Sequence, residues 1–174
     1  MHLTDLLVAA AVFGVVSAAV LTVLQEGLQG YTSGASRAES QQSGRVALER
    51  LAGEIRAAGL GRHPATFAAI SLAERTRVVL HSDLDGDGVV TGAGETITWH
   101  LAGKTLRRDA GGGAQPIIDG VRSFALEYLD ALDRPVTTPH EVRSVVITLV
   151  TESVFDVPRA PVPVFSTRVR LRNR

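Results

Sequence analysis

The sequence of 174 residues contains no cysteine, which excludes disulfide bonds and thiolate metal sites and leaves the redox compartment undetermined. Lysine occurs once, at Lys104, and the 18 basic residues balance the 18 acidic ones, so no overall charge points to nucleic acid or to an acidic substrate. Aromatic residues are few, at 5%. Proline is absent before Pro64, so nothing in the N-terminal part of the chain forbids a long helix.

What the chain does have is an apolar run near its N-terminus. Residues 6–24 are interrupted only by Ser17 and Thr22, and about 20 apolar residues suffice to cross a bilayer as a helix. A cleavable secretory signal would carry Lys or Arg ahead of a shorter run, whereas only His2 precedes this one. A buried core helix is disfavoured because the run is apolar all round. A membrane anchor and an assembly helix remain as the two interpretations.

A single acidic residue, Asp5, lies at the start of this run. A carboxylate within a membrane-spanning helix costs about 3 kcal/mol unless it is paired. A plain membrane anchor has little use for such a residue. The partner of Asp5 is therefore the question on which the function depends.

The helical pattern continues past the apolar run and changes character. Beyond Gly34 apolar residues recur at three- and four-residue spacing, which indicates an amphipathic helix packed on a core, at Gly44, Ala47, Leu48, Leu51, Ile55 and Ala58. Glycines 59 and 61 predict its end. A helix over residues 3–58 would be about 80 Å long, so its N-terminal half is expected to protrude from a globule of ordinary size. The glycines at 27, 30 and 34 predict a bend, and Gly14 predicts a close helix approach or local opening.

After Pro64 the apolar period changes to two, which is typical of strands. Predicted strands cover residues 77–81, 96–101, 105–108, 124–129, 142–151 and 164–172, and strand 142–151 should be central because it is nearly all Val, Ile, Leu and Thr. The predicted fold class is α+β: a long N-terminal α-helix with its C-terminal half packed on an antiparallel β-sheet. The expected parts are an apolar polymerisation or transmembrane helix, 1–30, and a globular domain, 31–174, made of helix half 31–59 and sheet 64–174.

Residues 3–9, with the sequence Leu-Thr-Asp-Leu-Leu-Val-Ala, resemble the mature N-terminus of a type IV pilin. That pattern is a hydrophobic first residue, a short Thr/Leu segment, an acid at the fifth position and an apolar helix. Asp5 stands where the family usually has glutamate. Residues 41–59 are similar to the helix end of PilW-type minor pilins, and residues 117–130 and the Asp/Gly-rich loop before Glu95 are also similar to that group.

The resemblance implies the pilin fold and a structural role in a filament. Met1 would be the first mature residue after cleavage by prepilin peptidase, would be N-methylated, and would offer its ammonium to Asp5 of a neighbouring subunit. Implied partners are identical or related pilin subunits, the inner-membrane assembly machinery and prepilin peptidase. The implied location is the bacterial inner membrane before assembly and an extracellular filament afterwards. The alternatives are a J-type pseudopilin of a type II secretion system and a membrane-anchored β-domain that binds a partner.

The sharpest motif outside the N-terminus is Asp-Leu-Asp-Gly-Asp-Gly at residues 83–88. Alternating carboxylates before a glycine match the first half of an EF-hand calcium loop, but the twelfth position is Gly94 and the acid, Glu95, comes one residue later. If calcium binds, Asp83, Asp85, Asp87 and Glu95 are its ligands, with the Val89 carbonyl as a further candidate. The alternative interpretation is a solvated turn rich in Asp and Gly. No other cofactor is expected.

Arginines alternate along the last predicted strand, which puts them on one face: Arg168, Arg170, Arg172 and Arg174. They could contact DNA phosphates or an acidic partner, or they could protect a strand edge from aggregation. DNA is disfavoured because the net charge is zero and aromatic residues are few.

His81 and His100 fall on predicted neighbouring strands and could approach each other. Two histidines without a further ligand are more often ordinary strand residues than a metal site. The sequence contains no Gly-x-Ser-x-Gly elbow and no phosphate-binding loop. We therefore expect the protein not to be an enzyme.

Overall fold

A single helix dominates the N-terminal part of the chain in the computed structural model, which describes residues 3–61, 66–152 and 162–173. This helix, α1, runs over Leu3–Ala57 without interruption. It passes through the glycines at 27, 30 and 34, since each costs only about 1 kcal/mol among good helix formers. It ends where Gly59 takes a left-handed backbone conformation (φ 80°), which residues with a side chain rarely adopt.

Eight strands follow the helix within the described ranges, and all of these pair antiparallel. They form two sheets, one of five strands in the order β1-β2-β3-β4-β5 and one of three in the order β6-β7-β8. Their bounds are β1 Ile70–Glu74, β2 Arg77–His81, β3 Thr96–Ala102, β4 Thr105–Asp109, β5 Gln115–Ile118, β6 Val121–Leu129, β7 Ser144–Thr151 and β8 Val164–Arg170. A short 3-10 helix, Pro139–Glu141, precedes β7.

The α+β class is confirmed, and the hairpin of β3 with β4 and the central position of β7 in its sheet agree with the sequence. Two strands were not predicted. Strand β1 is short and bulged, and β5 contains Pro116, a residue that argues against a strand. The sequence predicted a single sheet, whereas the structure has two. The chain leaves the first sheet after β5 and starts the second at Val121.

The chain divides into two compact units, Met1–Ala38 and Glu39–Arg174. The second unit holds both sheets and the C-terminal part of α1. Its core joins the predicted helical stripe, including Ala47, Leu51 and Ile55, to buried strand residues such as Trp99 and Ile147. The 3.6-residue period thus identified the helix face that packs on the sheets.

The two sheets are joined through hydrogen bonds from β6 to the turns of the larger sheet. The Leu126 amide donates to the Arg75 carbonyl at 2.7 Å, and the Val121 amide donates to the Lys104 carbonyl at 2.8 Å. The Tyr128 hydroxyl donates to the Glu74 carbonyl at 2.8 Å. Burial raises the pKa of this phenol, and the nearby Glu74 carboxylate adds to the rise, so the hydroxyl keeps its proton as a donor.

Candidate functional site

The first candidate site is the exposed apolar surface of α1 in the unit Met1–Ala38. Large apolar side chains are exposed at consecutive positions, for example Leu6 (60%), Leu7 (60%) and Val8 (63%), so they cover every side of the helix. Phe13 is 74% exposed. By length and composition this helix could cross a membrane, and none of its most apolar stretch is buried in the described structure. An apolar N-terminal helix of this kind is compatible with membrane anchoring.

Two threonine side chains of this helix form hydrogen bonds with the backbone of the helix itself. The Thr22 hydroxyl donates to the Ala18 carbonyl at 2.9 Å, and Thr32 donates in the same way to Leu28 at 3.0 Å. A threonine that bonds its own helix adds little polarity to the surface, which suits an apolar environment. Thr22 interrupts the apolar run in the sequence, but its hydrogen bond to the backbone reduces the polarity that it adds to the surface.

The acidic residue of the site, Asp5, lies in the first turn of α1 and is exposed. A carboxylate in this turn interacts favourably with the positive end of the helix dipole. Gly14 has open space where a side chain would begin, so a neighbouring helix could approach its backbone closely. Met1, whose ammonium and methylation were predicted, lies outside the described residues.

The second candidate site is the Asp/Gly-rich loop between β2 and β3. Three of its carboxylates, from Asp83, Asp85 and Asp87, offer oxygens within 4.8 Å of one another. Asp83 is buried, and its two oxygens accept the Gly86 and Gly88 amides at 2.6 Å and 3.1 Å. The two exposed aspartates accept amides two residues ahead in the same manner. Such side-chain-to-backbone bonds are what Asp supplies to a structured turn.

Glu95, the predicted fourth ligand, is almost fully buried (2% exposed) and holds the loop closed. Its Oε1 accepts the Leu84 amide at 2.9 Å, and its Oε2 accepts the Gly92 amide at 2.6 Å. Among the described residues it does not belong to the cluster of metal-compatible carboxylates. The loop therefore brings three of the four predicted calcium ligands together, while Glu95 binds backbone amides.

His81 lies at the base of this loop, in a network that sequence analysis missed. Its Nδ1 is 2.9 Å from the Thr96 hydroxyl, and its Nε2 is 2.7 Å from the Ser71 hydroxyl. Because Thr96 donates its own proton to the Val90 carbonyl at 2.9 Å, it must accept from Nδ1, which leaves Nε2 to accept from Ser71. Burial lowers the pKa of His81, so the neutral tautomer is favoured. The third side chain of the network, that of Thr96, is a hydroxyl, where a catalytic Ser-His-Asp triad has a carboxylate. The network ties β1, β2 and β3 to the loop.

The expected approach of His81 to His100 is wrong. In the register of β2 with β3, His81 faces Thr96 and His100 faces Arg77, so the histidines lie at opposite ends of the pairing. Facing residues could be assigned only once the register was known.

The third candidate site is the arginine strand β8. Arg168 and Arg170 are exposed and flank the buried Val169, which agrees with the predicted alternation, and Arg172 follows the strand. Arg174 lies outside the described residues. Arg168 forms an ion pair with Asp133 and bonds the Ser144 hydroxyl at 3.0 Å. This guanidinium lowers the pKa of Asp133, and the carboxylate raises that of Arg168.

A scan against models of protein families and a search of curated proteins found no match to the chain.

Proposed function

We propose that this chain is a structural subunit of a type IV pilus or related filament, which assembles through its N-terminal helix. The supporting observation is the apolar surface of α1, exposed on every side, with Asp5 in its first turn. So large an apolar area in water is unfavourable, at about 25 cal/mol per Å². A membrane covers it before assembly, and neighbouring helices cover it in the filament.

Asp5 gives the proposal its specificity. In a helix bundle of low dielectric constant, a carboxylate is tolerated only if an opposite charge lies beside it. The Met1 ammonium of a neighbouring subunit would supply that charge, and removing one member of a buried pair costs about 3–5 kcal/mol. Asp5 therefore selects the axial position at which neighbouring helices pack. The same arrangement would serve a J-type pseudopilin, whose filament belongs to a secretion system.

Before assembly the subunit resides in the bacterial inner membrane, where prepilin peptidase and the assembly machinery act on it. The filament is extracellular, and its partners are identical or related subunits. The unit Glu39–Arg174 would form its outer surface, since it has a closed core and its exposed apolar residues are scattered. This role requires no catalysis.

The test is the yield of filaments from cells that express the full chain with the assembly machinery. We expect Asp5→Ala to reduce the yield at least tenfold while the variant still accumulates in the membrane fraction. Asp5→Glu is the matched control, since it restores the carboxylate, and it should retain filaments. Mass spectrometry of the wild-type filament should find an N-methylated Met1.

Two results would overturn the proposal. Equal filament yields from Asp5→Ala and wild type would remove the pairing role of Asp5. A wild-type chain that stays in the membrane as single subunits, with an unmethylated N-terminus, would instead establish a membrane-anchored β-domain.

A further inference from the structure

Strand β8 forms an edge of the three-stranded sheet, and its outward backbone groups can be identified from its ladder with β7. At the two ends of this ladder the Leu171 amide donates to Arg143 at 3.0 Å and the Thr151 amide donates to Pro163 at 3.2 Å. Hydrogen-bonded pairs recur at every second residue of an antiparallel ladder. The odd-numbered residues of β8 therefore bond β7, and the even-numbered ones direct their amides and carbonyls away from it: Val164, Ser166, Arg168 and Arg170.

These outward groups have no backbone partner among the residues that the structure describes. The opposite edge of the same sheet differs, because β6 donates to the carbonyls of Arg75 and Lys104 in the larger sheet. One edge is thus closed by hydrogen bonds to the larger sheet, and the other offers donors and acceptors that no described residue uses. An open edge of this kind is a template for strand addition.

A groove of about 500 Å³ lies between β8 and the C-terminal part of α1. Its lining is apolar at Leu48 and Ala52 of the helix and at Phe165 of the strand, and it also includes the charged side chains Arg45, Glu49 and Arg56. Gly44 makes room for this arrangement, because a β-carbon there would lie 2.7 Å from Cε2 of Phe165. Side chains of an added strand that point towards the helix would therefore meet a surface that is apolar in part.

The other face of β8 is basic towards its C-terminal end, after the neutral Val164 and Ser166. Arg170 and Arg172 are exposed, and neither forms an ion pair with any acidic residue of the described ranges. Arg168 is engaged by Asp133 and adds no free charge. Side chains of an added strand that point to this face would meet positive charge.

We propose that the β8 edge binds an extended acidic segment of a partner protein, in which apolar and acidic residues alternate. The period of two places the apolar residues over the groove of α1 and the acidic residues beside Arg170. Charge complementarity selects this occupant over a second copy of the chain, since β8 itself contains no acidic residue that could lie beside Arg170. The inference does not rest on the proposed filament role, because its residues all belong to the unit Glu39–Arg174.

Amide hydrogen exchange of the full chain in detergent tests the edge directly. The probe is an acetylated and amidated seven-residue peptide that alternates valine and glutamate. Without it, the amides of Val164, Ser166, Arg168 and Arg170 should exchange fast, and those of Phe165, Thr167 and Val169 slowly. Addition of the peptide should protect the first set and leave the second unchanged.

Two substitutions separate backbone pairing from charge recognition. Ser166→Pro removes an outward amide without touching the ladder to β7, and it should weaken peptide binding at least tenfold, whereas Ser166→Ala should bind as wild type does. Arg170→Glu should shift the preference to a peptide with lysine in place of glutamate.

Three results would overturn the proposal. The outward amides could be protected before any peptide is added, which would mean that the edge is already covered. They could become protected as the protein concentration rises, which would make a second copy the occupant. Equal peptide affinities of Ser166→Pro and Ser166→Ala would exclude strand addition.

Discussion

Trp99, on β3, donates its indole Nε1 proton to Oε2 of Glu54, on α1, although the residues are 45 positions apart. The other carboxylate oxygen of Glu54 accepts from Nε of Arg108 at 2.7 Å. Trp99 is fully buried, so its indole has no alternative partner in water. Glu54 is therefore a polar link between the C-terminal part of the helix and the larger sheet.

Replacing Glu54 should destabilise the unit Glu39–Arg174. Glu54→Ala leaves both the Trp99 donor and the Arg108 charge without their acceptor, and hydrogen bonds to charged groups contribute about 1.5–3 kcal/mol each. We expect the free energy of unfolding in denaturant to fall by about 3 kcal/mol. Glu49→Ala is the matched control: its pair with Arg45 is exposed, and the loss should stay below about 0.5 kcal/mol. Similar losses for both variants would contradict the link.

Two glycines of α1 should respond in opposite directions to a larger side chain. Gly53 has open space around its missing β-carbon, so Gly53→Ala should raise the free energy of unfolding by about 0.5–1 kcal/mol. Gly44 faces the Phe165 ring, so Gly44→Val should lower it by about 1–3 kcal/mol. Denaturant unfolding of the full chain in detergent measures both. A stabilising Gly44→Val would mean that Phe165 does not pack on the helix.

The stability of the protein should depend on His81 below neutral pH. Burial lowers the pKa of folded His81 below its ordinary value of 6.5, so the unfolded chain binds the proton more readily. Its contribution is therefore complete above pH 6.5 and is lost as the pH falls from 6.5 through the folded pKa. Unfolding measured over this range should show a steeper loss for wild type than for His81→Asn, which does not titrate. An imidazole titration by NMR with a midpoint above 6.5 would reverse the sign.

The free energy of unfolding should depend on Glu95 whether or not calcium is present. Its two oxygens hold the Leu84 and Gly92 amides, so we expect Glu95→Gln to lower the free energy of unfolding by about 2 kcal/mol. If the loop is a turn held by these bonds, millimolar calcium should leave the melting temperature unchanged. A rise with calcium that disappears in Asp87→Asn would instead establish a metal site at the three aspartates.

The helix and its packed face follow from local information in the sequence. The absence of proline before Pro64, the apolar run and the stripe through Ala47, Leu51 and Ile55 set where α1 forms and which side is buried. Helix formation and amphipathic packing depend on residues within a few turns of one another. Strand β7 was predicted because it is nearly all Val, Ile, Leu and Thr, which is also local information, whereas β5 with its proline was not predicted.

The candidate loop was recognised in part. Its alternating aspartates are a local pattern. The bonds of Glu95 to backbone amides, however, and the orientation of His81 by Ser71 and Thr96, depend on the register in which the strands pair. The Asp133 partner of Arg168 lies 35 positions away, beyond any spacing rule.

The sequence by itself determined an apolar N-terminal helix with a carboxylate at its start, an amphipathic continuation and an antiparallel α+β domain. Only the tertiary structure decided that the strands divide into two sheets, that Glu54 joins Trp99 and that β8 is an edge strand among the described residues. The physical reason is the separation along the chain over which each effect acts. Propensity and periodicity act between near neighbours, whereas register and edge exposure depend on which distant segments pack together.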